Sequence, residues 1–97
     1  MSVNDETKHL SSVFNALGNP IRLRILSIVS ETKRPLHIKA VAKILKMDYA
    51  GVYRHVNILK KAGFVQIFEV GRSRVLSPLH TEALNKIYAL TKQIEQE

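Results

Sequence analysis

Apolar and polar positions follow two different periods along this chain, and the change of period outlines its elements. Apolar residues recur every three to four positions over about residues 4–17, 20–30, 38–45, 49–62 and 78–95, which predicts five amphipathic helices. Phe64 to Val70 is rich in aromatic and β-branched residues and predicts a strand, with a returning strand at Val75 to Leu76. Residues 31–36 fit neither period. The pattern indicates a mainly α domain with a small β-hairpin, in the order α-α-α-α-β-β-α.

Glycines, prolines and capping residues mark the ends of the predicted helices. We expect Gly18 to end the first helix in the left-handed conformation and Gly63 to end the fourth. Asn19-Pro20 and Ser77-Pro78 each place a capping residue before a proline, which is typical of a helix start. Asp48, after a short turn at residues 46–48, is the predicted N-cap of the fourth helix.

The fourth predicted helix has one apolar side and one polar, basic side. Val52, Val56 and Leu59 form its apolar stripe at 100° per residue. The opposite side carries groups that suit a major groove, because Arg pairs with guanine and Asn with adenine. Recognition helices present their N-terminal residues to base edges, so base contacts are expected from Tyr49, Ala50, Tyr53 and Arg54. Contacts to the DNA backbone are expected from Asn57, Lys60 and Lys61.

The predicted hairpin that follows has a basic tip. Gly71-Arg72-Ser73-Arg74 joins the two strands, and a period of two places Arg72 and Arg74 on one strand face. Both are therefore expected to contact the same phosphate track or to enter a minor groove. The third and fourth helices with this hairpin as the wing correspond to a winged helix-turn-helix.

Charge is distributed unevenly along the 97 residues. The formal net charge is +7, yet residues 1–19 and 81–97 each sum to −1, and residues 20–80 hold twelve Lys or Arg against three acids. Arg22 and Arg24 are predicted on the polar sides of the second helix. A basic middle between near-neutral ends favours one dedicated binding face for a polyanion. Double-stranded DNA is the partner that this helix and hairpin favour.

Several classes of protein are excluded by what the sequence lacks. The absence of cysteine excludes disulfides and thiolate metal sites. The four histidines form no HxH or HxxxH pair, so neither a metal nor another cofactor is expected, and His55 is interpreted as a hydrogen-bonded packing residue. No nucleophile, base and orienting group are concentrated anywhere, so we expect no enzyme. The sequence shows neither a bilayer-spanning run nor a signal-peptide order at residues 1–10, so a cytoplasmic, nucleoid-associated protein is expected.

Three segments of the chain resemble one family of regulators. ALGNPIRLRILSIV resembles the opening of the arsenic-repressor-like (ArsR/SmtB) winged-helix regulators, YRHVNILKKAGFV resembles their recognition helix, and VGRSRVLSP resembles their wing. The likeness extends over residues 13–79, and the three segments follow one another in the family's order. The resemblance implies a DNA-binding transcriptional regulator, with base- or backbone-contacting positions at Tyr49, Ala50, Tyr53, Arg54, Arg72 and Arg74.

The resemblance also implies a homodimer built from the first and last helices. A second copy is attractive for a domain of this size, because a small chain buries only a modest core on its own. The polar face of the last helix carries both charge signs, which favours a helix–helix seam over a membrane contact. The expected interface consists of Leu10, Val13, Phe14, Leu84, Ile87, Tyr88, Thr91 and Ile94, on helices at about residues 4–17 and 78–95.

Two departures from the family limit what is carried over. Many members sense metals through cysteines in the third helix or through carboxylate and histidine pairs in the last helix, and this chain has neither arrangement. Gly51 stands where a larger, often polar residue is common, which lowers helix propensity there. The metal-sensing property is therefore not inherited, and the sequence does not identify a small-molecule effector.

Residues 1–97 are thus expected to form a single winged helix-turn-helix domain that binds double-stranded DNA as a homodimer. The expected function is sequence-specific regulation of transcription, with repression by occlusion of a promoter. Two alternatives stay open at this point: a nonspecific architectural DNA-binding protein, and a winged-helix module that docks another protein through its tyrosines and wing.

Overall fold

The computed structural model describes residues 3–32 and 34–96, with Val3 described by its backbone alone. The predicted helices and hairpin are confirmed, and the fold is a winged helix-turn-helix. The elements are α1 (Val3–Leu17), α2 (Pro20–Glu31), β1 (Leu36–His37), α3 (Ile38–Leu45), α4 (Tyr49–Lys61), β2 (Val65–Val70), β3 (Ser73–Pro78) and α5 (Thr81–Glu95).

The junction between α1 and α2 combines one confirmed prediction with one wrong one. Asn19 caps α2 as predicted, because its Oδ1 accepts hydrogen bonds from the backbone N–H groups of Ile21 (2.9 Å) and Arg22 (3.1 Å). Gly18 ends α1 but is not left-handed, since the glycines with positive φ are Gly63 and Gly71. A Cβ at position 18 would lie 3.0 Å from the carbonyl oxygen of Phe14, so a close backbone approach explains this glycine.

The ends of α3 and α4 share one hydrogen-bonding pattern. Gly63 follows the end of α4 as predicted and has φ +90°. The N–H groups of Gly63 and Phe64 donate to the carbonyls of Lys60 and Leu59, both at 3.0 Å. At the end of α3 the same left-handed position is held by Lys46, with φ 57°. A side chain in this conformation costs on the order of 1 kcal/mol. This turn sets the direction in which α4 leaves α3.

The sheet has three antiparallel strands in the order β1-β3-β2. The β2–β3 hairpin confirms the predicted wing and pairs Val65 with Pro78 at one end and Val70 with Ser73 at the other. The sequence analysis did not predict β1, which pairs Leu36 with Leu76 and His37 with Val75. Two residues are too short for an alternating pattern to show. β1 fastens the chain before α3 to the wing.

The predicted start of the last helix at Ser77-Pro78 is wrong. Ser77 and Pro78 are the last two residues of β3, where Ser77 pairs with Gln66. The N–H of Leu79 donates to the carbonyl of Phe64 at 2.8 Å and continues this connection. Pairing with β2 holds the dipeptide extended, so α5 begins only at Thr81, after a left-handed His80 with φ 55°.

One hydrophobic core joins the helices to the sheet. Val52, Val56 and Leu59 of α4 are fully buried in it, as the apolar stripe predicted. Ala16 and Leu17 of α1 also belong to it. The other buried members are Ile25, Leu26, Val29, Ile38, Val41, Ala42, Phe64, Val65, Leu76 and Leu84. Because α4 buries one whole side here, its opposite side is fixed toward solvent.

Candidate nucleic-acid interface

The solvent side of α4 carries the residues that the sequence analysis assigned to DNA. Arg54, Lys60 and Lys61 are exposed, as is Ala50, and Asn57 is half-buried. Asp48 occupies the N-cap position as predicted, but its side chain makes no capping hydrogen bond. Its Oδ1 lies beside Gly51 instead, 2.8 Å from where a Cβ would stand at that position. The first turn of α4 therefore presents Tyr49 and the small Ala50 to solvent, and Tyr53 in the next turn is half-buried.

The two tyrosines in the first two turns of α4 interact with each other and with the wing. The rings of Tyr49 and Tyr53 stack with centroids 6.2 Å apart and an interplanar angle of 6°. The guanidinium carbon of Arg74, from β3, lies 4.6 Å from the centre of the Tyr53 ring. A side-chain hydrogen bond with Tyr49 is the main cause that raises the pKa of Arg74 above its ordinary value. We call these three residues the tyrosine–arginine stack.

The wing tip differs from its prediction in one respect. Gly71 and Arg72 form a two-residue turn between Val70 and Ser73, and Gly71 supplies the positive φ (62°) that such turns need. Arg72 therefore lies outside β3, and the argument that Arg72 and Arg74 share a strand face is wrong. Arg72 projects from the turn, whereas Arg74 lies over α4.

A basic cleft of 430 Å³ lies between α3, the start of α4 and the wing tip. Among the described residues its lining contains no carboxylate. Seven of the lining side chains are polar or charged groups suited to a phosphate: His37, Lys39, Lys43, Tyr49, Arg72, Ser73 and Arg74. The sequence analysis missed Lys39 and Lys43, although their spacing of four residues places them on one helix face. The cleft makes α4 and the wing parts of one continuous basic surface.

Arg22 is placed differently from its prediction on a polar side of α2. It is only 7% exposed, and its guanidinium binds three groups. Nε donates to the carbonyl of Ala16 at 2.8 Å, Nη2 donates to the carbonyl of Asn15 at 2.8 Å, and Nη1 lies 3.0 Å from His55 Nδ1. The carbonyls at the end of α1 attract the guanidinium inward, a long-range effect that helix periodicity does not show. Arg22 is therefore unavailable to DNA.

His55 is a hydrogen-bonded packing residue, as predicted. Because a guanidinium only donates, Nδ1 of His55 must accept the hydrogen bond from Arg22, so the ring is neutral. Burial, and then the charges of Arg22 and Arg54, lower the pKa of His55. Among the described residues no group of three or more His, Cys, Asp or Glu side chains is gathered that could hold a metal ion.

The predicted dimer residues of α1 fall into two groups. Leu10 is 54% exposed and Phe14 is 62% exposed, which is unusual for large apolar side chains. Val13 is half-buried against the chain's own core. An exposed apolar surface of this kind marks a site where a protein associates with another molecule.

The predicted dimer residues of α5 become more exposed to solvent toward the end of the helix. Leu84 is 3% exposed and belongs to the core of its own chain, and Ile87 and Tyr88 pack partly against that core. Thr91 is exposed, and its hydroxyl donates to the carbonyl of Tyr88. Ile94 is 72% exposed, and Leu90, which the sequence analysis did not include, is 56% exposed. The accessible apolar surface therefore lies in the second half of α5.

Comparison with known proteins agrees with this geometry. Residues 17–66 match the family described as "Helix-turn-helix domain". An uncharacterised helix-turn-helix-type transcriptional regulator of Methanocaldococcus jannaschii is 36% identical over 61 residues, which cover 63% of this chain and 67% of that protein. In the part of the chain that the structure describes, no helix has the length and apolar character needed to cross a membrane.

Solved structures with the same fold cover almost the whole chain. An ArsR-like transcriptional regulator from Rhodococcus sp. RHA1 is 28% identical, with a TM-score of 0.70 over 99% of this chain and 84% of that one. A fragment from Mycobacterium bovis, described as a homodimeric winged helix-turn-helix DNA-binding domain, is 21% identical, with a TM-score of 0.75 over 100% of this chain and 89% of that one. The chain belongs to the helix-turn-helix domain family and is a winged-helix transcriptional regulator of the ArsR type.

Proposed function

We propose that this regulator binds a specific double-stranded DNA site as a homodimer and represses transcription in the cytoplasm by occluding a promoter. The observation that carries the proposal is the continuity of one basic surface, which runs from α4 across the cleft to the wing tip. A major groove admits a helix, and the flanking backbone follows the groove on either side. The arginine and lysine side chains of the basic surface can contact this backbone, while α4 lies in the groove.

Roles within the surface follow from exposure and reach. Base contacts are assigned to the first two turns of α4, at Tyr49, Ala50, Tyr53 and Arg54. Contacts to phosphates are assigned to Asn57, Lys60, Lys61, Arg72 and Arg74, to which the cleft adds Lys39 and Lys43. Arg72 is the most direct phosphate ligand of the wing, because it projects from the turn.

The homodimer is proposed to form through α1 and α5. Leu10 and Phe14 on one helix and Leu90 and Ile94 on the other are large exposed apolar side chains. A Mycobacterium bovis domain of the same fold is described as homodimeric, which supports self-association of this chain. A two-fold dimer presents two copies of α4, so it should read a pseudo-palindrome with half-sites about 10–10.5 bp apart or a multiple of that spacing.

The first test is a selection of bound fragments from a random pool of double-stranded DNA at physiological salt, where weak electrostatic binding is suppressed. A palindromic motif is the expected result. Recovery of fragments without a motif would contradict sequence-specific binding and favour architectural binding. Recovery of no DNA would contradict DNA binding by this chain alone and favour docking of a protein.

The assignment of roles is tested on the selected site and on a scrambled duplex. Arg54→Ala should relax discrimination at one base pair, at a cost of about 1–3 kcal/mol on the selected site. Arg72→Ala should weaken both duplexes alike, because a phosphate contact carries no sequence information. Lys92→Ala, a change of the same charge on exposed α5, serves as the control. Equal losses on both duplexes for Arg54→Ala and Arg72→Ala would refute the assignment.

The dimer interface is tested by the oligomeric state in solution. Phe14→Glu places a charge on the proposed interface and should give a monomer in sedimentation equilibrium. The monomer should lose the preference of the dimer for a palindrome over a direct repeat of one half-site. Phe68→Glu changes another exposed phenylalanine, on β2, and should leave the dimer intact. A dimer that survives Phe14→Glu would place the interface elsewhere.

A further inference from the structure

Arg74 has side-chain neighbours within its own chain that Arg72 lacks. Its guanidinium lies 4.6 Å from the centre of the Tyr53 ring and interacts with the side chain of Tyr49. A guanidinium over an aromatic face is an attractive cation–π arrangement. Arg72, two residues earlier in the turn, is exposed, and in the described part of the chain its guanidinium lies over no ring. The two wing arginines are therefore physically different.

The tyrosine–arginine stack joins α4 to the tip of the wing, beyond the part of β3 that is already held. β1 pairs with β3 at Val75 and Leu76, and both of these side chains are buried. α4 and β2 follow each other through the turn at Gly63, which lies at the end of α4 remote from Tyr49. Tyr49 and Tyr53 belong to the first two turns of α4, and Arg74 lies near the tip of the hairpin. Beyond β1 the wing is a two-stranded ribbon, and such a ribbon bends and twists readily. Contact between α4 and this ribbon therefore restrains a motion that β1 and the core leave free.

We propose that Arg74 is a positioning residue: it holds the wing against the first turns of α4 and sets the orientation of Tyr49 and Tyr53, rather than neutralising a DNA phosphate. The inference rests on the proposed DNA-binding function and replaces the phosphate contact assigned to Arg74 there. A wing held in place binds DNA with less loss of conformational freedom. The contact between Arg74 and Tyr53 then also positions Arg72, at the wing tip, for the DNA backbone.

The first test needs no DNA. The chain contains no cysteine, so Val70→Cys creates one site for a nitroxide label at an exposed position beside the turn. Arg74→Ala should increase the mobility of this label in the electron paramagnetic resonance spectrum of the free protein. Arg72→Ala in the same labelled background is the control and should leave the spectrum unchanged. An unchanged spectrum for Arg74→Ala overturns the proposal.

The second test uses the salt dependence of binding to the palindrome recovered by selection. Each phosphate neutralised contributes about −0.9 to the slope of log K against log salt. Arg74→Ala should leave the slope unchanged while weakening binding about tenfold, which is about 1.4 kcal/mol. Arg72→Ala should reduce the size of the slope by about 0.9. A reduction of that size in Arg74→Ala overturns the proposal whatever the label shows.

The third test separates positioning from direct contact by a double-mutant cycle. If Arg74 acts through the tyrosines, Arg74→Ala should cost little once Tyr53→Leu has removed the ring, so the two losses should not add. Tyr53→Phe keeps the ring and should preserve the label mobility of the free protein. Additive losses would show that Arg74 contacts DNA independently. If wild-type protein binds no duplex, the proposed function fails, while the label test still decides the wing contact.

Discussion

Replacement of Arg22 by methionine gives a demanding test of the packing described above. Methionine has nearly the length of the arginine stem, so the variant fills similar space and removes the guanidinium. Three groups then lose a donor: the carbonyl oxygens of Asn15 and Ala16, and Nδ1 of His55. The change therefore measures what the guanidinium contributes rather than what the stem contributes.

The expected loss follows from how deeply each of the three groups lies. The bond to Ala16 is buried, and an unsatisfied buried acceptor costs about 1–3 kcal/mol. The bonds to Asn15 and His55 are partly buried, so water replaces the guanidinium there and each costs only about 0.5 kcal/mol. The free energy of unfolding should therefore fall by about 2–4 kcal/mol. A domain of this size has about 5–15 kcal/mol in total.

Urea unfolding followed by circular dichroism at a fixed protein concentration measures this loss. With a slope of about 2 kcal/mol/M, the middle of the usual range for small proteins, the midpoint should fall by roughly 1–2 M. Arg24→Met is the matched control, because Arg24 lies on the same helix and is exposed, and it should change stability by less than about 0.5 kcal/mol. Arg22→Lys should recover little, since one ammonium cannot reproduce the planar fork. Equal small losses for Arg22→Met and Arg24→Met would refute the reasoning.

Two further predictions concern α4. Because the pKa of His55 is lowered in the folded state, the unfolded chain takes up the proton first as the pH falls. The free energy of unfolding should therefore be at its full value above about pH 6.5 and decrease below that pH. His55→Gln should show a smaller decrease when the free energy of unfolding is measured at each pH. An identical pH profile for His55→Gln would contradict this. Gly51→Ala should raise the thermal midpoint through a gain of up to about 1 kcal/mol in helix propensity. The added Cβ displaces only the carboxylate at the end of the Asp48 side chain, which makes no capping hydrogen bond. A lower midpoint would show that this displacement costs more than the helix propensity gains.

The positions of the helices and the wing could be predicted from the sequence because the signals are local. A helix with one buried side repeats its apolar residues every three to four positions, so the stripe of Val52, Val56 and Leu59 identified both the core side of α4 and its solvent side. Gly63 and Asn19 were identified as end signals, since each acts on backbone groups within a few residues. These predictions required no knowledge of how the elements pack.

Other features were decided only by contacts between residues distant in the chain. Ser77-Pro78 has the local form of a helix start, but pairing with β2 holds it in a strand, and β1 exists only because β3 offers it an edge. Arg22 looks like a surface cation in a helical pattern, yet the carbonyls at the end of α1 and the ring of His55 draw it into the interior. Arg74 has the sequence signature of a phosphate ligand, but the fold places it over Tyr53. Local periodicity determined which side of each helix is apolar. Tertiary packing decided which charged side chains stay in solvent. The reason is that hydrogen-bond acceptors and aromatic faces attract charged groups from positions distant in the sequence, which the local pattern does not bring together.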